Sequence, residues 1–113
     1  TDAAPGIVLE PRTCIEAEPY ALRVTDDSMS PEFQEGCLII VDPTGVARDG
    51  AFVLAELENG YLLRRLRRRG GITRLEPLNP DYPTVELNDG LSSIRGVVVQ
   101  RAGTRRRYHK RYD

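Results

Sequence analysis

The sequence is poor in residues that form crosslinks or bind metals, with two cysteines and one histidine among its 113 residues. Cys14 and Cys37 form no CxxC motif and are too few for a disulfide framework, so we expect two free thiols, no metal and no cofactor. No apolar run approaches the ~20 residues of a membrane-spanning helix, and no signal peptide is recognisable. We therefore expect a soluble, cytoplasmic protein that makes no membrane contact.

A strong charge of either sign is also lacking, because the net charge is only −1. This balance gives no whole-chain attraction to nucleic acid or to a membrane surface. The basic residues are nevertheless clustered, with five in the run 64–69 and five in the run 105–111. Lys110 is the single lysine. We expect the second run to be a solvated tail, as charged ends usually are, with phosphate binding as the alternative.

Alternating and apolar stretches between turn residues predict short strands, and sustained helical periodicity is absent. Asn59-Gly60 and Gly70-Gly71 predict tight hairpin turns. The predicted strands are Tyr20–Val24, Cys37–Asp42, Ala51–Leu57, Tyr61–Arg68, Ile72–Leu78, Thr84–Leu87 and Ile94–Arg101. The pattern indicates an all-β barrel or sandwich.

One short helical turn is predicted after the first strand, with Ser30 as its cap and Pro31 at its first position. The composition shows no internal boundary, so we expect a single domain over residues 1–113. Its N-terminal segment 1–18 is expected to be loose, and its residues 102–113 to form a basic tail.

Ser28 lies in the stretch VTDDSMSPEF, between a predicted strand and turn residues. A serine in this position usually caps a turn or faces solvent, so the position alone does not predict catalysis. The one histidine, His109, lies in the basic tail, which leaves a Ser-His-Asp triad without support. The other common arrangement pairs serine with a neutral lysine as its base.

Several stretches in order resemble the LexA-type self-cleaving serine peptidases, a family that covers LexA, UmuD and lambda-type phage repressors. VTDDSMSPEFQEGCLIIVDP resembles the family's Ser-Met loop and the strand after it. GAFVLAELENGYLLRRL resembles the hairpin that carries the family's catalytic lysine, and LEPLNPDYP and IRGVVVQ resemble the next turn and the final strand. The resemblance covers Tyr20–Arg101 and implies a LexA/signal-peptidase-like, mainly β domain.

The resemblance also implies what lies outside the chain. The family's domain usually follows a helix-turn-helix DNA-binding domain, and no such domain is present in this sequence. The chain starts at Thr1 rather than at a methionine. We therefore expect a fragment or a processed chain whose DNA-binding domain is missing here.

By position, the resemblance implies that Ser28 matches the nucleophile, that Met29 is the methionine after it, and that the lysine falls on Arg64. Arg64 follows Ser28 by 36 residues, close to the family's spacing. Strand alternation places Leu62, Arg64 and Leu66 on one face. A charge between two leucines on one face predicts an inward side chain at the site, rather than a solvated edge.

Arginine changes the chemistry that the site can perform. Burial can neutralise a lysine, whereas arginine stays protonated in proteins. Neutralising arginine near pH 7 would take a shift of roughly six units, or ~8 kcal/mol. We therefore expect Ser28 to be inactive and the charged Arg64 to need a partner, for which Asp26 and Asp27 are the candidates. The arginine is either natural or an engineered replacement of lysine, and the sequence leaves both origins open.

The family also needs a scissile Ala-Gly or Cys-Gly bond upstream of its serine. In the segment AAPG, Pro5 separates Ala4 from Gly6, and Cys14 precedes Ile15. The sequence therefore offers no cleavage site of the family's kind.

These expectations combine into a regulatory binding module: the C-terminal dimerisation domain of a LexA-like or phage-type transcriptional repressor. In the family, subunits pair largely through the last strand, which implies an interface at Ile94, Val97, Val98, Val99 and Arg101. The implied partners are a second copy and DNA, the latter through the missing domain. The alternative is a self-cleaving peptidase of the SOS response, stimulated by a RecA filament and trapped by an engineered Lys-to-Arg change. A relative of signal peptidases is a third reading, which the lack of a membrane anchor disfavours.

Overall fold

The computed structural model describes residues 7–8, 18–58, 60–88, 90–103 and 108–112. These residues form nine β-strands and no α-helix. The strands are β1 (Ile7–Val8), β2 (Tyr20–Val24), β3 (Leu38–Asp42), β4 (Phe52–Leu57), β5 (Gly60–Arg69), β6 (Ile72–Glu76), β7 (Val85–Leu87), β8 (Ile94–Ala102) and β9 (Lys110–Arg111). The mainly β fold predicted from the sequence is confirmed. No helix suited to cross a membrane occurs in the described ranges.

The strands form one antiparallel sheet in the order β1-β2-β3-β8-β4-β5-β6-β7, with β9 paired to β8. Strand β8 is central, because it pairs with β3 on one side and with β4 and β9 on the other. The long strand β5 pairs with β4 on one side and with β6 on the other, and so links the centre of the sheet to its β6–β7 end. The arrangement brings the β2–β3 connection, which contains Ser28, close to β5.

Successive side chains of the central strands alternate between two apolar clusters, as the pleat of a strand requires. On β4, Leu54 belongs to one cluster, while Val53 and Ala55 belong to the other. On β8, Val98 and Val97 divide in the same way. The sheet is therefore apolar on both faces at its centre, which explains why β4 reads as an almost continuous apolar run.

The β5–β6 hairpin turn consists of two glycines, as predicted. Gly70 and Gly71 have φ of 58° and 83°, and they connect Arg69 to its partner Ile72. A two-residue turn with two positive φ angles fits the right-handed twist of the strands and favours glycine. The β4–β5 hairpin closes with Leu57 opposite Gly60, so Gly60 is the first paired residue of β5, whereas the Asn59-Gly60 prediction placed it in the turn. Asn59 lies outside the described residues.

The predicted short helical turn forms, but Ser30 does not cap it. The segment makes a single α-turn, closed by a 2.9 Å bond from the Phe33 N–H to the Met29 carbonyl, and the Ser30–Pro31 peptide bond is cis. In a helix capped by Ser30, the Gln34 N–H would donate to the Ser30 carbonyl. It donates instead to the Tyr108 hydroxyl, at 2.8 Å. A contact 74 residues away thus overrides the local capping signal.

The C-terminal segment 108–112 is docked on the domain, although the sequence suggested a solvated tail. Strand β9 pairs with Gln100 and Arg101 of β8. The Tyr112 ring packs 5.4 Å from the Phe33 ring and 5.5 Å from the Phe52 ring, measured between centroids. Residues 104–107 of the predicted tail lie outside the described residues.

At the other end, Ile7 and Val8 pair with Val24 and Arg23 of β2, within the segment 1–18 that was expected to be loose. The remaining positions up to 17, with the AAPG segment and Cys14, lie outside the described residues. Cys37 is a buried free thiol, as expected from the sequence.

Candidate active site

Ser28 lies in the serine loop, which we define as residues 25–37 between β2 and β3. Its side chain is 2% exposed. Its backbone carbonyl accepts hydrogen bonds from the N–H groups of Leu78 and Asn79, at 3.1 and 2.9 Å. The Asn79 side-chain amide also donates to the Asp27 carbonyl at 3.2 Å. The turn after β6 therefore holds the backbone of the serine loop on both sides of Ser28.

Arg64 reaches this serine from the middle of β5. It is 5% exposed, so its side chain points inward, as strand alternation predicts. Its Nη1 donates to the Ser28 Oγ at 2.8 Å and to the Leu63 carbonyl at 2.8 Å. The structure thus places a buried cation directly against the serine hydroxyl.

Asp26 accepts a hydrogen bond from the same hydroxyl. The Ser28 Oγ and the Ser28 backbone N–H both donate to Asp26 Oδ1, at 2.7 and 3.0 Å. The Ser28 hydroxyl therefore donates a hydrogen bond to the Asp26 carboxylate and accepts one from Arg64.

The two candidate partners of Arg64 thus have different positions. Asp26 touches Ser28 rather than the guanidinium, and Asp27 accepts a hydrogen bond from the Tyr82 hydroxyl at 2.8 Å. Among the described residues, no carboxylate lies within 4.0 Å of the Arg64 nitrogens. The negative charge of Asp26 favours the protonated form of Arg64, and the Ser28 hydroxyl forms a hydrogen bond with each of the two residues.

The electrostatics of Arg64 reflect its burial. Desolvation lowers the pKa of its guanidinium, while the nearby Asp26 and Tyr82 raise it. The Tyr82 ring centroid lies 5.8 Å from Arg64 Cζ, and Nε is buried without a hydrogen-bond partner in the described chain. Because arginine starts from such a high pKa, the group remains a cation at neutral pH.

This arrangement orients the serine but supplies no neutral amine to remove its proton. A Ser/Lys site needs an uncharged base within hydrogen-bond distance of the nucleophile. Here the side-chain partners of the Ser28 Oγ are a cation and a carboxylate. Lys110 is engaged elsewhere, with its Nζ 3.0 Å from a Glu32 oxygen. The described residues also hold no cluster of His, Cys, Asp and Glu that could bind a metal ion.

The remaining residues singled out from the sequence lie in the core or beside it. Met29 is 0% exposed and packs in the same apolar cluster as Val98. Val97 belongs to the other cluster, and Ile94 packs against it. The Val99 carbonyl accepts from the Tyr112 N–H at 2.8 Å.

Sequence reasoning missed the group that holds the far side of the serine loop. Glu32 Oε2 accepts hydrogen bonds from Tyr112, Lys110 and Arg101, at 2.7, 3.0 and 2.9 Å. The Tyr108 hydroxyl donates to the Glu32 carbonyl at 3.0 Å. In the sequence, the sign of this group is the pair of tyrosines, Tyr108 and Tyr112, within the predicted basic tail.

The mainly β domain thus holds a buried serine, Ser28, in hydrogen-bond contact with a cationic side chain of β5. Comparison with known proteins identifies the family to which such a domain belongs. The chain belongs to the Peptidase S24-like family, whose profile matches residues 4–99.

Among individual relatives, two are repressors by name and one is an HTH-type transcriptional regulator. The chain is 41% identical over 86 residues to repressor protein C2 of Salmonella phage P22, a match covering 71% of this chain and 39% of that protein. It is 38% identical over 82 residues to the LexA repressor of Paracidovorax citrulli, covering 71% and 37%. It is 38% identical over 88 residues to an HTH-type transcriptional regulator for conjugative element R391 of Providencia rettgeri, covering 72% and 40%. The chain therefore spans about two fifths of the length of these relatives.

Proposed function

We propose that this chain is the regulatory dimerisation domain of a LexA-like or phage-type transcriptional repressor, in which self-cleavage is silent because Arg64 replaces the general-base lysine. The observation that carries the proposal is the 2.8 Å hydrogen bond from the Arg64 Nη1 to the Ser28 Oγ. It puts a permanent cation in contact with the nucleophile position. The domain works in the cytoplasm, and its DNA contact belongs to a separate helix-turn-helix domain.

The chemical argument concerns the proton of Ser28. Attack on a peptide carbonyl requires a base that accepts this proton as the new bond forms. Arg64 has no free lone pair to accept it, and its charge at 5% exposure is held by its contacts with Ser28 and Leu63. The polar groups around Ser28 then hold the serine in the core and do not activate it.

The regulatory role follows from the relatives, whose names describe repressors and an HTH-type regulator. A repressor gains affinity for a paired operator when two DNA-binding domains are linked, and a dimerising domain supplies that link. A self-cleaving peptidase that answers to a RecA filament is the second candidate, and the positioned Ser28 favours it.

The proposed dimer uses the outer surface around β8. Val97 and Val98 are covered by their own chain, so the contact falls to the half-buried Val99, Ile94 and Arg101. Both edges of β8 are already paired within the described chain. The second copy therefore packs against side chains rather than adding a strand to β8.

The cleavage part is tested in the full-length natural protein that contains this chain. We would incubate the wild type, Arg64→Lys and Arg64→Lys/Ser28→Ala at alkaline pH and measure intact masses. We expect only Arg64→Lys to be cut, because deprotonated lysine can act as the base. Cleavage of the wild type would favour the peptidase and contradict our account. A stable Arg64→Lys protein would show that more than the arginine silences the site.

The dimer part is tested by sedimentation equilibrium of the chain itself. We expect a dimer that Val99→Glu dissociates, because a carboxylate would be buried at the contact. Val46→Glu is the matched control, since Val46 is 66% exposed and lies in the loop after β3. A wild-type chain that stays monomeric at high concentration would contradict the proposed dimerisation.

A further inference from the structure

The hairpin of β5 and β6 concentrates charge on one face. Residues opposite each other in an antiparallel pair point to the same side. The face carries four arginines, one glutamate and one isoleucine, in the opposite pairs Arg65–Glu76, Arg67–Arg74 and Arg69–Ile72. We call it the arginine face. Arg64 is not part of it, because its side chain points to the opposite side of β5.

A cavity of about 370 Å³ opens on the arginine face. Its lining residues are Arg67, Arg69, Ile72, Arg74 and Glu76. The volume lies within the range of sites that hold a small ligand or a few side chains. With three cations and one anion in its wall, the cavity favours a negatively charged occupant.

The carboxylates near the arginine face are too few to pair with all of its guanidinium groups. Glu76 is shared by two arginines, with Oε1 3.4 Å from Arg65 Nη2 and 3.6 Å from Arg67 Nε. Asp49 lies 3.9 Å from Arg67 Nη1. Arg65 Nε remains buried without a hydrogen-bond partner in the described chain. Even Arg65, which pairs with Glu76, therefore has an unsatisfied donor.

Arg69 and Arg74 are exposed, and neither side chain forms an ion pair within 4.0 Å with another described residue. Glu86 of β7 lies opposite Arg74 but does not pair with it at that distance. Arg67 lies directly opposite Arg74, and like charges at opposite positions destabilise a sheet. An external anion that bridges the two guanidinium groups would remove this repulsion.

The charges around the arginine face favour an acidic peptide over a nucleic acid as its partner. A nucleic acid presents a continuous row of phosphates, which Glu76, Asp49 and Glu86 around this face would repel, and the chain's net charge of −1 gives no long-range attraction. A peptide can place carboxylates opposite arginines and apolar groups elsewhere. Ile72, 42% exposed at the rim, offers such an apolar contact.

We propose that the arginine face is a docking surface for an acidic peptide segment of a partner protein, with carboxylates bound between Arg67, Arg69 and Arg74 and an apolar side chain against Ile72. Arginine suits this role because its planar fork binds a carboxylate through two hydrogen bonds. Thr73, Arg74 and Leu75 of β6 are paired with β7. The peptide therefore binds through side chains on the face and adds no strand. This surface is independent of the Ser28 site and of the proposed dimer.

The test selects peptides from a random display library on immobilised wild-type chain and counter-selects on Arg69→Gln/Arg74→Gln. Gln keeps the polarity of these exposed side chains while removing their charge, so the variant should remain folded, which circular dichroism verifies. The best peptide is then titrated by fluorescence anisotropy. We expect acidic peptides with an apolar residue, binding about tenfold more weakly to the double variant and more weakly at high salt.

Two controls make the result specific. Arg95→Gln removes an arginine charge from β8, where its Nε pairs with Glu56 at 2.9 Å, and should leave peptide affinity unchanged. Ile72→Ser should weaken binding severalfold without changing charge. Enrichment of neutral or basic peptides, or equal affinity for the double variant, would overturn the proposal. A short DNA duplex that binds instead, with the same loss in the double variant, would replace the peptide by nucleic acid.

Discussion

The hydroxyl and the backbone N–H of Ser28 share one acceptor, Oδ1 of Asp26, at 2.7 and 3.0 Å. Because Ser28 is 2% exposed, water cannot readily replace that acceptor. We expect Asp26→Ala to lower the free energy of unfolding by about 2–3 kcal/mol, since two donors lose their partner and buried Arg64 loses a nearby negative charge. Urea denaturation measures the change.

Asp27→Ala is the matched control for this prediction. Asp27 uses its carboxylate for one exposed hydrogen bond, from Tyr82 at 2.8 Å, so its loss should cost about 1 kcal/mol or less. If the two alanine variants were equally stable, Asp26 would not be the group that supports the serine loop.

Met29, next to the serine, should matter through its packing. It is 0% exposed, so Met29→Ala should destabilise the fold by about 2–5 kcal/mol through lost contacts and the cavity that remains. Met29→Leu keeps most of the volume and should cost less than about 1.5 kcal/mol. Thermal or urea unfolding of the two variants tests the difference. Similar losses in both would indicate a specific need for the thioether.

Glu32 should make stability depend on pH. Burial raises the pKa of its carboxyl, but hydrogen bonds from Tyr112 and Lys110 and the charge of Arg101 outweigh burial and hold that pKa below its ordinary 4.5. A carboxyl with a lower pKa in the folded state stabilises the fold above its ordinary pKa, and that contribution is lost as the pH falls through the lowered value. The stability difference between wild type and Glu32→Gln should therefore shrink below pH 4.5.

Urea denaturation across this pH range measures the effect. Glu35→Gln, which changes an exposed carboxyl of the same loop, should stay within about 0.5 kcal/mol of wild type at every pH. A wild-type advantage over Glu32→Gln that persists unchanged into acid would contradict the role given to the carboxylate.

Gly96 should tolerate no side chain, because a Cβ there would lie 2.4 Å from Val41 Cγ1 and 3.1 Å from the Asp42 carbonyl oxygen. Gly96→Ala should destabilise the domain by about 1–3 kcal/mol through overpacking between β3 and β8. Val41→Ala removes the closest atom, so Gly96→Ala should cost less in that background. A double-mutant cycle by urea denaturation measures the coupling, and strictly additive effects would show that Val41 is not the obstacle.

Strand pattern predicted the parts of the fold that depend on local alternation. The strand Tyr20–Val24 has the predicted bounds, and the inward position of Arg64 was predicted from its neighbouring leucines together with the resemblance to the LexA-type peptidases. A period of two reports which face a residue occupies, and burial of one face is what creates the period. Such predictions need no knowledge of distant residues.

The features that failed were those in which a distant residue supplies the partner. The local signal at Ser30 was a valid helix cap, but Tyr108 took the Gln34 N–H. The tail was predicted to be solvated because its sequence does not show its partners. Those partners are the Glu32 carboxylate and the Phe33 ring, both of which contact Tyr112. Neither pairing leaves a mark on the local sequence, since each is fixed only by the tertiary fold.

The order of synthesis also affects the serine loop. Its supports come from Asn79 and from the segment 108–112, which leave the ribosome long after Ser28 does. During synthesis, the polar groups of the loop are therefore hydrated until the later residues are made and form hydrogen bonds with them. The serine loop is therefore fully supported only once the chain extends to Tyr112, 80 residues beyond Glu32.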